Sequence, residues 1–230
     1  MNLKYGLDAP LVPILYIIFG IMITALNFKS LGIIFGLLMI IAGIIFIHTS
    51  LRGKFIIWNR LIGNLNIEPN DKALDLGCGH GAVLIKIAEH LGNDGSIDGV
   101  DLWKNRDQSN NSKMATQKNI INSKVRCHTK LLTADVVKLP FEDNQYNLVT
   151  ASLLFHNIKP KSERERALDE ACRVLKPNGT LIIMDLGILM NEYVSVLKKN
   201  NLKIDFAKRV GFNGWWTGPW MGSYVIKAYK

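Results

Sequence analysis

The chain opens with two almost uncharged apolar runs, residues 11–26 and 31–47, separated only by Asn27, Phe28, Lys29 and Ser30. With its flanks, each run approaches the ~20 residues that span a bilayer as a helix. So short a link predicts a hairpin whose two ends emerge on one face of a membrane. A hairpin buried in a protein core would carry polar stripes at helical spacing, and residues 31–47 have none. A cleaved leader is the other reading, but no small-residue cleavage site stands beside Asn27 and a second apolar run follows at once. Gly32 and Gly36 form a small-xxx-small pair through which two helices can touch. Residues 53–66 change character: Phe55, Ile56, Ile57, Trp58, Leu61, Ile62 and Leu65 sit among polar residues in an amphipathic segment.

From Lys72 the pattern alternates between short apolar runs and longer helical periods. Strands are predicted near 72–76, 96–101, 126–133, 146–153 and 179–186, with helices near 81–91, 111–122, 162–175 and 190–200. Residues 203–208 and 222–229 read as a last pair of strands. Such alternation predicts an α/β sheet with helices on both faces. The chain thus divides into a transmembrane helical hairpin at 1–51, an amphipathic linker or lid at 52–71, and an α/β domain at 72–230. No internal repeat and no low-complexity tract interrupts it.

Charge refines the placement. Lys4, Arg52, Lys54 and Arg60 flank the two runs, against a lone Lys29 at the tip, so the positive-inside rule predicts an integral membrane protein whose α/β domain is cytoplasmic. The whole chain carries +9, and +8 remains after Lys4, Lys29 and Asp8 are set aside with residues 1–51. The positives are scattered, without a basic tail or an aromatic-interleaved patch, so the partner they suggest is the membrane or none in particular; nucleic acid is disfavoured. Cys78, Cys127 and Cys172 form no CxxC pair, which predicts neither a disulfide framework nor a metal site and suits a reducing compartment.

The chemistry begins at Asp75-Leu76-Gly77-Cys78-Gly79-His80-Gly81, where a strand runs through three glycines into a helix. Glycines there let a ligand lie almost against the main chain. Spacing alone leaves a dinucleotide site open, because the third glycine of G-x-G-x-x-G falls at Ala82, and it leaves a tight turn without a ligand open as well. Three further runs decide between them. Asp101 ends a second apolar run twenty residues after Gly81; Ala134-Asp135 precedes 139–149; and Arg173-Val174-Leu175-Lys176-Pro177-Asn178-Gly179-Thr180-Leu181 follows, with Asn178 where glycine is commoner. In this order the four motifs resemble the class I S-adenosylmethionine-dependent methyltransferases. The resemblance implies a Rossmann-like seven-stranded sheet, mostly parallel with one antiparallel strand, and S-adenosylmethionine as cosubstrate.

It also implies roles. Asp75, Gly77 and Gly79 hold the methionine end, Asp101 the ribose hydroxyls, and Asp135 the adenine amino group with Ala134 and Val136 packing the ring. Cys78, Leu102 and Ser152 complete the cosubstrate-binding set. The bland alternatives are that Asp75 and Asp135 merely cap local structure. Methyl transfer from a sulfonium is an in-line displacement, so positioning and exclusion of water are the protein's main tasks. His156 and Asn157 follow the fourth strand, where the methyl group is expected. His156 is a candidate base for the proton that the acceptor loses, with pocket lining as the alternative.

Two polar or aromatic runs stay open. Trp103, Gln108 and Asn110 are either cosubstrate or acceptor contacts, or part of an ordinary loop with a helix cap at Asn110 or Asn111. Trp215, Trp216 and Trp220 are an interfacial foot, a wall of an apolar acceptor site, or core. A domain without an insertion predicts a shallow pocket walled by Trp58, Phe155, His156 and these tryptophans, suited to a small-molecule or lipid acceptor. Rival readings are a membrane-tethered nucleotide-binding module and an NAD-dependent oxidoreductase. Methylation of exocyclic amines of bases is disfavoured, because no Asn-Pro-Pro-Tyr-like run follows the fourth strand. Oligomeric state is not legible.

Overall fold

The structure, a computed structural model, describes residues 5–26, 30–104 and 111–230. Gln108 and Asn110, singled out above, lie outside the described residues.

Seven strands form one sheet in the order β3-β2-β1-β4-β5-β7-β6. They are β1 (Lys72–Leu76), β2 (Ser96–Asp101), β3 (His128–Thr133), β4 (Tyr146–Ser152), β5 (Leu175–Leu186), β6 (Lys203–Arg209) and β7 (Ser223–Tyr229). All pairings are parallel except those of β7, which runs antiparallel to both β5 and β6. The central strands are covered on both faces, which is why β1 and β4 read as continuous apolar runs rather than alternating ones: β1 is buried from Ala73 to Leu76. Strand order reverses between β1 and β4, and their carboxyl ends open the crevice where sheets of this kind bind ligands.

Four helices pack on the sheet: α4 (Ala82–Ala88), α5 (Lys113–Ser123), α6 (Lys161–Val174) and α7 (Met190–Lys199). The cap of α5 is Ser112, whose hydroxyl accepts from the N–H of Ala115 at 3.2 Å, so the cap expected at Asn110 or Asn111 falls one or two residues later. Arg173 at the end of α6 binds Glu170, Asp143 and the carbonyls of Leu139 and Phe141. That fork fixes the loop after β3 and with it Ala134 to Val136.

In front of the sheet stand α1 (Leu11–Leu26), α2 (Ser30–His48), one turn of π-helix (Thr49–Gly53) and α3 (Lys54–Gly63). The helical run Leu31–Gly63, 33 residues, is long and apolar enough to cross a membrane; α1 is a shorter apolar helix beside it. At 1.5 Å per residue, α1 is about 24 Å long, somewhat under a bilayer's hydrocarbon thickness. The helices meet through glycine: a Cβ on Gly36 would come within 2.2 Å of Thr24 Oγ1, and one on Gly20 within 2.7 Å of the Gly36 carbonyl. Gly36 is therefore in the contact, with Gly20 and Gly43 as companions that spacing alone did not pick out. Their large side chains face outward: Leu11, Ile18, Leu31, Phe35 and Leu38 are all more than half exposed.

The base of the hairpin is fastened to the domain. Thr49 donates to the Trp215 carbonyl, His48 pairs with Asn213, and Phe46 meets Trp216 edge to face at 4.9 Å. Gly53 lies so close to Asn213 that a Cβ would come within 2.1 Å of its carbonyl.

Candidate active site

One cavity of about 680 Å³ runs along the carboxyl ends of β1, β2 and β4, beneath α3 and up to the base of the hairpin. Its size is that of a small-molecule site. The residues assigned from the motifs to cosubstrate, together with His156 and Asn157, line it: Asp75, Gly77, Cys78, Gly79, Asp101, Leu102, Ala134, Asp135, Val136 and Ser152.

The glycine turn is built by its neighbours. Gly77, Gly79 and Gly81 all have positive φ, which side chains resist. The N–H groups of Gly77 and Cys78 donate to the Val100 carbonyl on β2, while Thr116 and Asn119 of α5 donate to the carbonyls of Gly79 and His80. Asp101 accepts from the Gly79 N–H at 2.9 Å, the Trp103 N–H at 2.5 Å and the Asn111 amide at 3.3 Å.

Asp75 is buried, accepting from Thr150 Oγ1 at 2.8 Å and from the Leu84 N–H at 3.1 Å. It thus caps α4 as well as lining the cavity. Burial pushes its carboxyl up to about 7, against the pull of those two donors, and Asp101 adds to the rise. Burial, then Asp75 and Asp101, push the Cys78 thiol up, which makes it an inert wall. Asp135 is exposed and its Oδ1 accepts from the Val137 N–H at 3.0 Å, a turn cap at the cavity rim.

On the acceptor side, Trp58 of α3 reaches across and donates its indole N–H to Ser152 Oγ at 2.9 Å. His156 sits on a single 3₁₀ turn that directs Phe155 the other way. Phe155 is fully buried against Tyr193, so the sequence-based expectation that it walls the acceptor pocket is corrected. The tryptophans divide as well. Trp216 lines the cavity, Trp215 stacks edge to face on Phe212, and Trp220 is 73% exposed; Met221 supplies the wall that two of the rings were expected to form. Trp103 turns its indole to Thr133 Oγ1, away from the lining residues.

Sequence reasoning missed Asp185. It lies on β5, fully buried, and His156 Nδ1 meets its Oδ1 at 2.5 Å while the His156 N–H donates to Oδ2 at 3.1 Å. Tyr193 Oη–H and the Leu186 N–H donate to the same carboxylate. A carboxylate only accepts, so in the neutral ring this pairing holds the proton on Nδ1 and leaves the lone pair on Nε2. Burial and Asp185 push the Tyr193 hydroxyl far up, so it remains a donor. The signal in the sequence was a single acid inside the apolar run 179–186, which a buried strand tolerates only with partners.

The comparisons with known proteins agree with this geometry. A methyltransferase-domain family matches residues 74–183. A 2-phytyl-1,4-naphtoquinone methyltransferase of Trichormus variabilis is 29% identical over 163 residues, 69% of this chain and 67% of that protein. A demethylmenaquinone methyltransferase of Staphylococcus aureus is 30% identical over 130 residues, 56% of this chain and 49% of that one, so the chain spans about half of its length. The chain is a class I S-adenosylmethionine-dependent methyltransferase. Among solved structures, the cyclase SpnF superposes with a TM-score of 0.62 at 16% identity over 79% of this chain and 82% of that one, a likeness of fold alone.

The residues of this methyltransferase fit its cosubstrate. Asn111 is 6% exposed and its Oδ1 has no hydrogen-bond partner among the described residues, although it lines the cavity beside Asp101. An orphaned acceptor next to a carboxylate matches a diol with two hydroxyl donors, which a ribose supplies. The carboxyls of Asp75 and Asp101 and the rim at Ala134 to Val136 line the same cavity.

Proposed function

We propose that this methyltransferase is anchored in a membrane by its N-terminal hairpin and methylates an amphipathic, lipid-borne acceptor, an aromatic ring of the quinone kind that carries an apolar chain. The observation that carries the reading is the cavity's extent: it joins His156 and Asp101 to Val12, Phe46 and Trp216 at the base of the hairpin. Two relatives, named for methylation of a 2-phytyl-1,4-naphtoquinone and of demethylmenaquinone, support the same class of acceptor. The exposed apolar faces of α1 and α2 support insertion, since large apolar patches on a water-soluble surface are rare. Basic residues follow the second helix, which supports a cytoplasmic side for the catalytic domain.

S-adenosylmethionine, when bound, supplies a methyl group already activated by its sulfonium. Asp75, Gly77 and Gly79 hold its methionine end, with Cys78 as wall. Asp101 and Leu102 with Asn111 hold the ribose, and Ala134, Asp135 and Val136 hold the adenine. Ser152, tied to Trp58, closes the cavity over the cosubstrate. His156 accepts at Nε2 the proton that the acceptor releases, and Asp185 balances the imidazolium that results. Asn157, exposed beside it, orients the acceptor's oxygen. Water is excluded by α3 and Trp216.

The test is methyl transfer by the full-length protein in lipid nanodiscs, with radiolabelled cosubstrate and reduced quinones of graded chain length. Labelled product is expected with a long-chain acceptor. Cosubstrate binding without transfer to any lipid, quinone or small-amine fraction would replace this reading with that of a tethered binding module.

A further inference from the structure

The hairpin does more than fix location. Its lower end forms part of the cavity wall: Val12 on the first turn of α1 and Phe46 near the end of α2 face the same space as Trp216 and Met221 of the loop before β7. We propose that these four residues form a binding slot for the apolar chain of the acceptor, separate from the ring position at His156, so that the membrane hairpin is itself part of the active site. The proposal rests on the amphipathic acceptor argued above.

Three features make a slot of this region. The segment before α1 is pinned in place: the Asp8 N–H donates to Ser50 Oγ, and Asp8 Oδ2 accepts from Ser50 Oγ at 2.7 Å and from Lys54 Nζ at 2.6 Å. Tyr5 is buried against Phe55, with ring centroids 5.3 Å apart. The chain ahead of the hairpin is thereby folded back over α3, and α1 starts at the cavity rather than away from it. The second feature is the Phe46–Trp216 contact, which joins the membrane-side helix directly to the catalytic domain and sets the wall between them. The third is a division of chemistry along one space. Asp101 and Ser152 lie at the cosubstrate end, while Val12, Phe46, Trp216 and Met221 give the hairpin end an apolar wall in which the charged lining residues Asp8 and Lys54 are paired with each other, and the outer surface of the hairpin is apolar too. An apolar chain lying there stays out of water along its whole length, from bilayer to slot, while its ring reaches the polar end.

A photoreactive quinone analogue with a diazirine on its isoprenoid chain tests this on the full-length protein in nanodiscs. Labelling is expected in peptides holding Val12, Phe46 and residues 216–221, and excess long-chain quinone should compete it away. Val12→Trp, which fills the slot, should lower that labelling about tenfold, the weight of roughly two buried methylenes, with unchanged affinity for S-adenosylmethionine. Label confined to the outer faces of the helices, at Leu31, Phe35 or Leu38, would overturn the slot. So would equal labelling of the Val12→Trp protein whose cosubstrate affinity is intact. The two readings fail separately: slot labelling without methylation of any quinone removes the acceptor chemistry and leaves the slot standing, whereas methylation of long-chain quinone without slot labelling removes the slot alone.

Discussion

Asp185→Asn is the substitution that most sharply separates chemistry from scaffold. The side chain keeps its shape and loses its charge. The carboxylate now receives the His156 Nδ1 proton and the Leu186 N–H on Oδ1, and the His156 N–H and Tyr193 hydroxyl on Oδ2. A carboxamide offers one acceptor and one donor face, so in either orientation a backbone N–H, of His156 or of Leu186, loses its partner. An orphaned buried donor costs about 1–3 kcal/mol of stability. In one orientation the amide donates to Nδ1, which moves the ring proton to Nε2 and blocks the base; in both, the charge opposite the imidazolium is gone. Since a general base contributes about 10²–10⁴ in rate, kcat should fall by roughly 10²–10³, or about 2.7–4.1 kcal/mol at 1.36 kcal/mol per decade. Single-turnover transfer at saturating cosubstrate measures it. His156→Gln should lose a similar factor, and the double variant little more, because the pair acts as a unit. A melting temperature lowered as expected, with kcat within about threefold of wild type, would leave Asp185 a structural residue and refute His156 as base.

Three further outcomes are expected. Folding raises the Asp75 pKa from 3.8 to about 7, so its carboxyl is tolerated without penalty below pH 4 and destabilises the free protein increasingly as pH rises toward 7; a cationic amino group prefers the ionised form. Affinity for S-adenosylmethionine should therefore fall as pH drops from 8 to 6, by up to about tenfold per unit below the pKa, and calorimetry should find the dependence absent in Asp75→Asn. Gly53→Val sets side-chain atoms against the Asn213 carbonyl, so cosubstrate binding should persist while transfer to a nanodisc-borne acceptor drops; unchanged transfer would mean that this docking is incidental. Carbonate extraction should leave the chain with the membrane pellet, and its release into the supernatant would remove the anchor.

The strands were legible almost residue by residue, because a doubly covered parallel sheet writes itself as short apolar runs between turns. The departures have local causes. β5 starts at Leu175 rather than near 179, since Leu175 pairs with Tyr146 across an irregularity in register and draws the Pro177–Gly179 stretch into the strand. Asn178 there has φ of +65°, a conformation that asparagine tolerates, which accounts for its standing where glycine is commoner. α4 stops at Ala88, short of the expected 91, and α5 begins at Lys113 behind its Ser112 cap. In the site, the residues tied to a motif line one cavity. What escaped was pairing across long separations: Asp185 with His156 over 29 residues, and Asp8 with Lys54 over 46. Periodicity along a chain reports which face a residue occupies, and says nothing of which distant side chain meets it. The direction of Phe155 was illegible for a related reason, as one 3₁₀ turn decides between cavity and core.

In the anchored arrangement proposed above, the unbroken helical run from Leu31 to Gly63 leaves no flexible tether between the hairpin and the catalytic head. The domain is held as on a bracket, and the height and azimuth of its catalytic mouth are dictated by helical phase. One alanine inserted into α2 ahead of Phe46 would raise the head by about 1.5 Å and swing it through about 100° around the axis of that helix, and the pairing of Asp8, ahead of α1, with Ser50 and Lys54 would be thrown out of step. Four residues, nearly a full turn, would restore the azimuth and leave only a vertical offset of about 6 Å. In the membrane arrangement proposed above, the length of this helix is thus a ruler that sets where along the acceptor a methyl group can land.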